Sequence, residues 1–167
     1  WKNKFFISVI PLGLFNYGGL MAIQTLWAGP WVTRVAGYSP LESATGLFWI
    51  NITMLVSFFL WGYFLPKIIN LGYSAIKILK LGIPLSFLVM LTIILLGPKA
   101  GAFYITLFIL TSVFLTVIQP AVGLSFQSHL AGKALTSFNL LIFLGTFIMQ
   151  WFIGLVIDSV KGLGYSE

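Results

Sequence analysis

Charge spacing constrains this chain more than any other feature. The charged residues are Lys2, Lys4, Arg34, Glu42, Lys67, Lys77, Lys80, Lys99, Lys133, Asp158, Lys161 and Glu167. Between them lie long charge-free runs at 5–33, 43–66, 81–98, 100–132 and 134–157. A helix needs about 20 apolar residues to cross the hydrocarbon core. Each run supplies that, the third with help from Ile76, Ile78 and Leu79. Lipid satisfies no backbone N–H or C=O group, so a spanning segment is a helix or part of a closed barrel. Barrel strands alternate polar and apolar residues over about 10 positions. Phe108–Leu110, Leu91–Leu96 and Phe143–Leu144 are instead apolar at consecutive positions. The expectation is an all-α integral membrane protein, a single membrane domain with spans at about 5–28, 41–65, 75–97, 101–128 and 133–157.

Composition agrees. Hydrophobic residues make up 59% of the 167 residues and charged ones 7%, against about 25% charged in soluble domains. That excludes an ordinary soluble enzyme, a disordered chain and, with no cysteine, a disulfide scaffold. The first apolar run is too long for a signal-peptide core and lacks a clear small-residue cleavage site.

Local chemistry marks the boundaries. Ser39-Pro40-Leu41-Glu42 reads as a capping box with proline at the first helical position. Gly-Tyr-Ser occurs at 37–39, 72–74 and 164–166. Glycine can end a segment, tyrosine suits the interface, and serine can cap the next helix. By that pattern Ser166 would cap a further helix beyond this chain. Lys2, Lys4, Lys67, Lys77, Lys80 and Lys133 fall on one side, and Arg34, Lys99 and Lys161 on the other. The positive-inside rule then places the N-terminus in the cytoplasm. No basic cluster is dense enough to neutralise several nucleic-acid phosphates, so no nucleic-acid partner is expected.

Gln24-Thr25-Leu26-Trp27-Ala28-Gly29-Pro30-Trp31 closes the first span. Gly132-Lys133-Ala134, Thr136, Asn139-Leu140, Phe143, Gly145, Phe147, Gln150-Trp151, Gly154 and Ile157-Asp158 run through the fifth. Together they resemble the C-terminal half of bacterial major facilitator superfamily transporters. The resemblance implies that the spans correspond to the seventh through eleventh of twelve helices, in a bacterial inner membrane. It implies a first six-helix half and a last helix outside this sequence, since such halves are built from inverted three-helix repeats. Gly62-Tyr63-Phe64-Leu65-Pro66-Lys67 through Gly72 is similar to the family's Gly-x-x-x-Asp-Arg loop. Pro66 and Lys67 stand where an acidic and a basic residue are usual, so only Gly62 and Gly72 carry over, as structural positions.

No Asp, Glu, Lys or Arg sits mid-span, so a proton carrier, if the protein uses one, belongs to the other half or to the marginal Glu42, His129 or Asp158. His129, the only imidazole, reads as a solvated loop residue. On the first span, Gly13, Tyr17 and Gln24 share a stripe at ideal helical spacing, since seven residues nearly complete two turns. Asn16, Gly18 and Gly19 lie beside it, and Pro11 makes bending expected. On the fourth, Ser112, Thr116, Gln119 and Gly123 share a stripe, and Pro120 frees the Thr116 carbonyl. The resemblance implies that these two helices line the central cavity. Asn16, Tyr17, Gln24, Thr116 and Gln119 are therefore the substrate-cavity candidates. Asn139 and Gln150, on a stripe with Phe143 and Thr146, read as glue between helices. Gly46, Trp49, Thr53 and Ser57 on the second span read as packing, with Trp49 as cavity wall or core. Trp27, Trp31, Trp61 and Trp151 suit an aromatic belt.

One His, no Cys and three scattered acids make no metal site, and neither a cofactor nor a catalytic triad is expected. Two functions remain. One is secondary transport of a small solute by alternating access, with the lipid bilayer, the other half, the solute and any coupling proton or ion as partners. The other is a polytopic scaffold that moves nothing. On the transporter reading, residues 1–167 alone reconstituted into liposomes show no saturable solute uptake. Saturable flux would contradict it.

Overall fold

The computed structural model describes residues 3–164. They are about 90% helical with no strand among them. Five helices are long and apolar enough to cross a membrane: α1 Lys4–Val35, α2 Pro40–Asn70, α3 Ala75–Lys99, α4 Ala102–Leu124 and α5 Ser128–Gly162. The expected span count and class hold. Most helices overrun the expected bounds, because the helix continues into the interface after the hydrophobic run ends. Lys67, Lys133, Asp158 and Lys161 all lie inside helices. The fourth instead stops at Leu124, four residues early. Ser166 and Glu167 lie outside the described residues, as does Lys2.

Local signals set the helix starts. The Ser39 N–H donates to Glu42 Oε2 at 2.8 Å, and the Glu42 N–H donates back to Ser39 Oγ at 3.3 Å. Ser74 caps α3 by accepting from the Lys77 N–H at 3.3 Å. Asn3, which carried no signal in the sequence, caps α1 through the Phe6 N–H and donates to the Ser125 carbonyl at 2.6 Å.

α1 is not a regular α-helix. Its turns widen to i→i+5 hydrogen bonding over Leu12–Tyr17, Ile23–Trp27 and Trp31–Val35. Two of these stretches begin directly after Pro11 and Pro30. A proline lacks the N–H its turn needs and pushes against the carbonyl four residues back, and a wider turn relieves both. α4 tightens to i→i+3 bonding over Val113–Val117, just ahead of Pro120.

The chain divides into two compact units, residues 3–27 with 118–164, and residues 28–117. In the first, the start of α1 and the end of α4 pack on α5. A Cβ on Gly18 would lie 2.6 Å from the Gly145 carbonyl carbon, and one on Gly145 would strike the Leu14 carbonyl oxygen. Gly13 lies under the Phe138 ring, itself fully buried. These glycines let two backbones touch. In the second unit, α2 and α3 pack on the first half of α4. Gly82 seats the Phe114 ring, and Gly46 meets Ala102. The Trp31 indole N–H donates to the Ala100 carbonyl at 2.6 Å, and the Ala102 N–H donates to the Tyr38 hydroxyl at 3.2 Å.

Large apolar side chains cover the outside: Phe59, Phe87, Leu95, Phe103 and Phe143 are all exposed. That is the surface of a protein solvated by acyl chains. Trp49 is 58% exposed and so is not in the core. Gly145→Ala should lower the unfolding midpoint of the detergent-solubilised protein, at a cost of roughly 1–3 kcal/mol for forcing atoms into a closed contact. Gly62→Ala should not, because nothing lies within 4 Å of a Cβ there. Equal melting of both variants would contradict this packing.

Candidate functional site

The site that the structure builds lies in the first unit, along one face of α5. Asn139 and Gln150 are eleven residues apart, just over three whole turns, so they share that face. Gln119 Nε2 donates to Asn139 Oδ1 at 3.0 Å, tying the end of α4 to α5. Gln150 Nε2 donates to Thr25 Oγ1 at 3.0 Å, tying α1 to α5. The Thr25 hydroxyl in turn donates to the Met21 carbonyl at 2.6 Å. α5 is thus the common partner of both helices, through carboxamides.

Neither pair is saturated. Each carboxamide has two N–H donors and a carbonyl oxygen with two lone pairs, and the Gln119–Asn139 bond uses one group on each side. Asn139 is exposed and Gln119 half-buried. The spare Asn139 amide protons and the Gln119 carbonyl remain open at the face of the unit.

Tyr17 is buried, 8% exposed, at the start of the face on α1, and Asn16 is half-buried beside it. Among the described residues, the side-chain polar atoms sealed without a partner are the indole nitrogens of Trp27 and Trp61. The Tyr17 ring is packed within the unit. Gln24 is half-buried further along α1. The expected Gly13–Tyr17–Gln24 stripe does not run straight, because the wide turns at Leu12–Tyr17 and Ile23–Trp27 change the angle per residue. Gly13 and Tyr17 turn into the packing, while Gln24 stays at the edge.

Thr116 stands apart from this group. It belongs to the second unit, and its hydroxyl donates to the Val113 carbonyl of its own helix at 2.7 Å. Ser112, on the same expected stripe, is fully buried. The structural glycines differ from one another. Gly72 has φ +88°, a left-handed turn that favours glycine, whereas Gly62 is exposed with open space around it. Thr25 was not among the candidates. Its signal was its place beside Gln24 in a polar pair within an apolar helix.

Comparison with family models, curated proteins and solved structures returned no match. The side chains must therefore carry the functional argument. They offer amide donors, amide carbonyls and a phenol, all neutral, on a face flanked by Phe143 and Phe147, which are 71% and 66% exposed. Such a face hydrogen-bonds hydroxyl, carbonyl or amide groups and stacks against apolar ones. It supplies no carboxylate, imidazole or amine.

A double-mutant cycle between Gln119→Leu and Asn139→Leu should give a coupling of about 0.6 kcal/mol, the scale of interhelical hydrogen bonds in membranes. Zero coupling would show that the pair does not form in the bilayer.

Proposed function

We propose that this chain supplies part of one half of a secondary transporter that moves a small, largely uncharged solute by alternating access. The observation that carries the reading is the Gln119–Asn139 pair of the first unit, which leaves the Asn139 amide protons and the Gln119 carbonyl open, in a unit that also holds the polar side chains of Asn16, Tyr17 and Gln24. Within a bilayer an open amide is costly unless it faces a partner or water. Lipid cannot solvate this face, and a wet cavity completed by another bundle can. The resemblance of the first and fifth spans to the C-terminal half of bacterial major facilitator superfamily transporters supports the same reading. On this reading a further six-helix half stands opposite this one, in a bacterial inner membrane with the N-terminus of this chain in the cytoplasm. Any coupling proton carrier then sits on the other half or on the marginal Glu42, His129 or Asp158, since this face has no acid. The role is transport rather than catalysis.

One observation favours the scaffold alternative. The Gln119–Asn139 and Gln150–Thr25 bonds are made between helices of the chain itself, as structural glue would be. The two readings part over solute.

In cells expressing the intact gene product, a panel of labelled neutral solutes should yield at least one with saturable uptake. Tyr17→Phe and Asn139→Leu should lower that uptake about tenfold or more, the effect of losing one hydrogen bond to a buried polar group, while leaving membrane expression unchanged. No saturable uptake across the panel would favour the scaffold. Uptake untouched by both substitutions would remove the solute from this face.

A further inference from the structure

A different part of the molecule carries a second inference, independent of any solute. Where α2 turns into α3, the second unit presents Lys67, Lys77 and Lys80, all exposed. At 1.5 Å per residue, all three lie within about 9 Å of the Leu71–Ser74 turn along their helix axes. Among the described residues of this unit no acid lies near the turn. Glu42 is the only acidic residue between positions 28 and 117. It is committed to the Ser39 cap at the opposite end of α2, about 37 Å away along the helix.

The lysines are also placed against the helix field. α3 begins at Ala75 with no acidic residue in its first turn. Lys77 sits in that turn and Lys80 in the next. The N-terminal end of a helix carries partial positive charge from its free N–H groups, so anions are stabilised there and cations are not. Two lysines at a helix start, with a third across the turn, form a site whose charge is completed only from outside. Lys67 is already held in place. Its Nζ lies 3.9 Å from the centre of the Tyr63 ring and 5.5 Å from that of Phe64. This cation–π seat fixes an ammonium that would otherwise sweep freely.

The surroundings set the depth. Leu71 is 77% exposed at the tip, with Tyr63, Tyr73 and Ile76 exposed around it. Tyrosines favour the headgroup level of a bilayer, and lysines snorkel there from apolar stems. The lysines therefore meet the layer where lipid phosphates lie.

We propose that Lys67, Lys77 and Lys80 at the α2–α3 turn form a binding site for the phosphate of an anionic phospholipid headgroup. Zwitterionic lipid offers the same phosphate with a cation attached and binds more weakly. A polybasic surface gains affinity with each lysine that reaches the phosphate layer.

The test uses the full-length protein purified in a neutral detergent. Native mass spectrometry should show phosphatidylglycerol retained roughly tenfold or more over phosphatidylcholine. Phosphatidylglycerol should also raise the unfolding midpoint by about 3 °C or more. Replacing the three lysines together with glutamine should abolish both effects, while arginine at all three positions keeps them. Lys99→Gln, at the far end of α3, should keep them too. Equal retention of both lipids by the unaltered protein would overturn the site, whether or not the glutamine variant folds. So would a preference that survives the triple glutamine change or is lost with Lys99→Gln. If inorganic phosphate alone reproduces the stabilisation, the ligand is a soluble anion and the lipid assignment falls.

Discussion

Inside a bilayer no solvent repairs an unmade hydrogen bond, and that constraint organises most of what this chain does. Backbone groups are satisfied by staying helical even where the sequence resists. Around Pro11 and Pro30, α1 widens its turns, and before Pro120, α4 tightens them. Hydroxyl groups obey the same rule locally. Thr92 donates to the Leu88 carbonyl, Thr106 to Ala102, Thr111 to Leu107 and Thr146 to Ile142, each within its own helix. A serine or threonine in these helices can satisfy itself and asks nothing of its neighbours. A carboxamide reaches further and holds more groups than one turn can satisfy. Asn139, Gln119 and Gln150 must look across to another helix or to water.

That asymmetry separates structure from candidate function. Close packing rests on glycine. Gly18 against Gly145, and Gly13 under Phe138, bring α1 and α5 to backbone contact. The carboxamides add one bond from α5 to α1 and one from α5 to α4, at a net value of about 0.6 kcal/mol each by membrane precedent. Their greater consequence is what they leave unmade. An apolar membrane helix with open amides on one face is unfinished, and on the transport reading a solvated cavity finishes it. The lysines of the α2–α3 turn are unfinished in the same sense, in charge rather than in hydrogen bonds.

Much of this was legible in the sequence, and the reasons for the rest are physical. Charge spacing reports span number directly, because charge is the costliest thing to bury in lipid. The Ser39–Glu42 box is a local motif with a local outcome, and the structure reproduces it atom for atom. Angular stripes were less legible. They assume 100° per residue, which α1 abandons three times. Proline position alone does not announce this, since Pro66 and Pro84 stand inside α2 and α3 without any widened turn. Thr116 looked equivalent to Gln119 on a helical wheel, yet one bonds its own helix and the other reaches α5. Gly62 and Gly145 are identical letters, and only the packing tells the open position from the closed one.

The central claim is that the polar face of the first unit meets water rather than lipid in the assembled protein. The chain contains no cysteine, so single cysteines at Asn16, Gln24 and Asn139 report on that face without interference from its own thiols. Modification by a small charged thiol reagent in native membranes, read at the introduced residue by mass spectrometry, measures water access. All three positions should react readily, while cysteines at the exposed apolar positions Phe87 and Leu91 of α3 stay unmodified. If Asn16, Gln24 and Asn139 prove as inert as Phe87 and Leu91, the face is sealed by lipid or protein, and the transport reading of this chain is wrong.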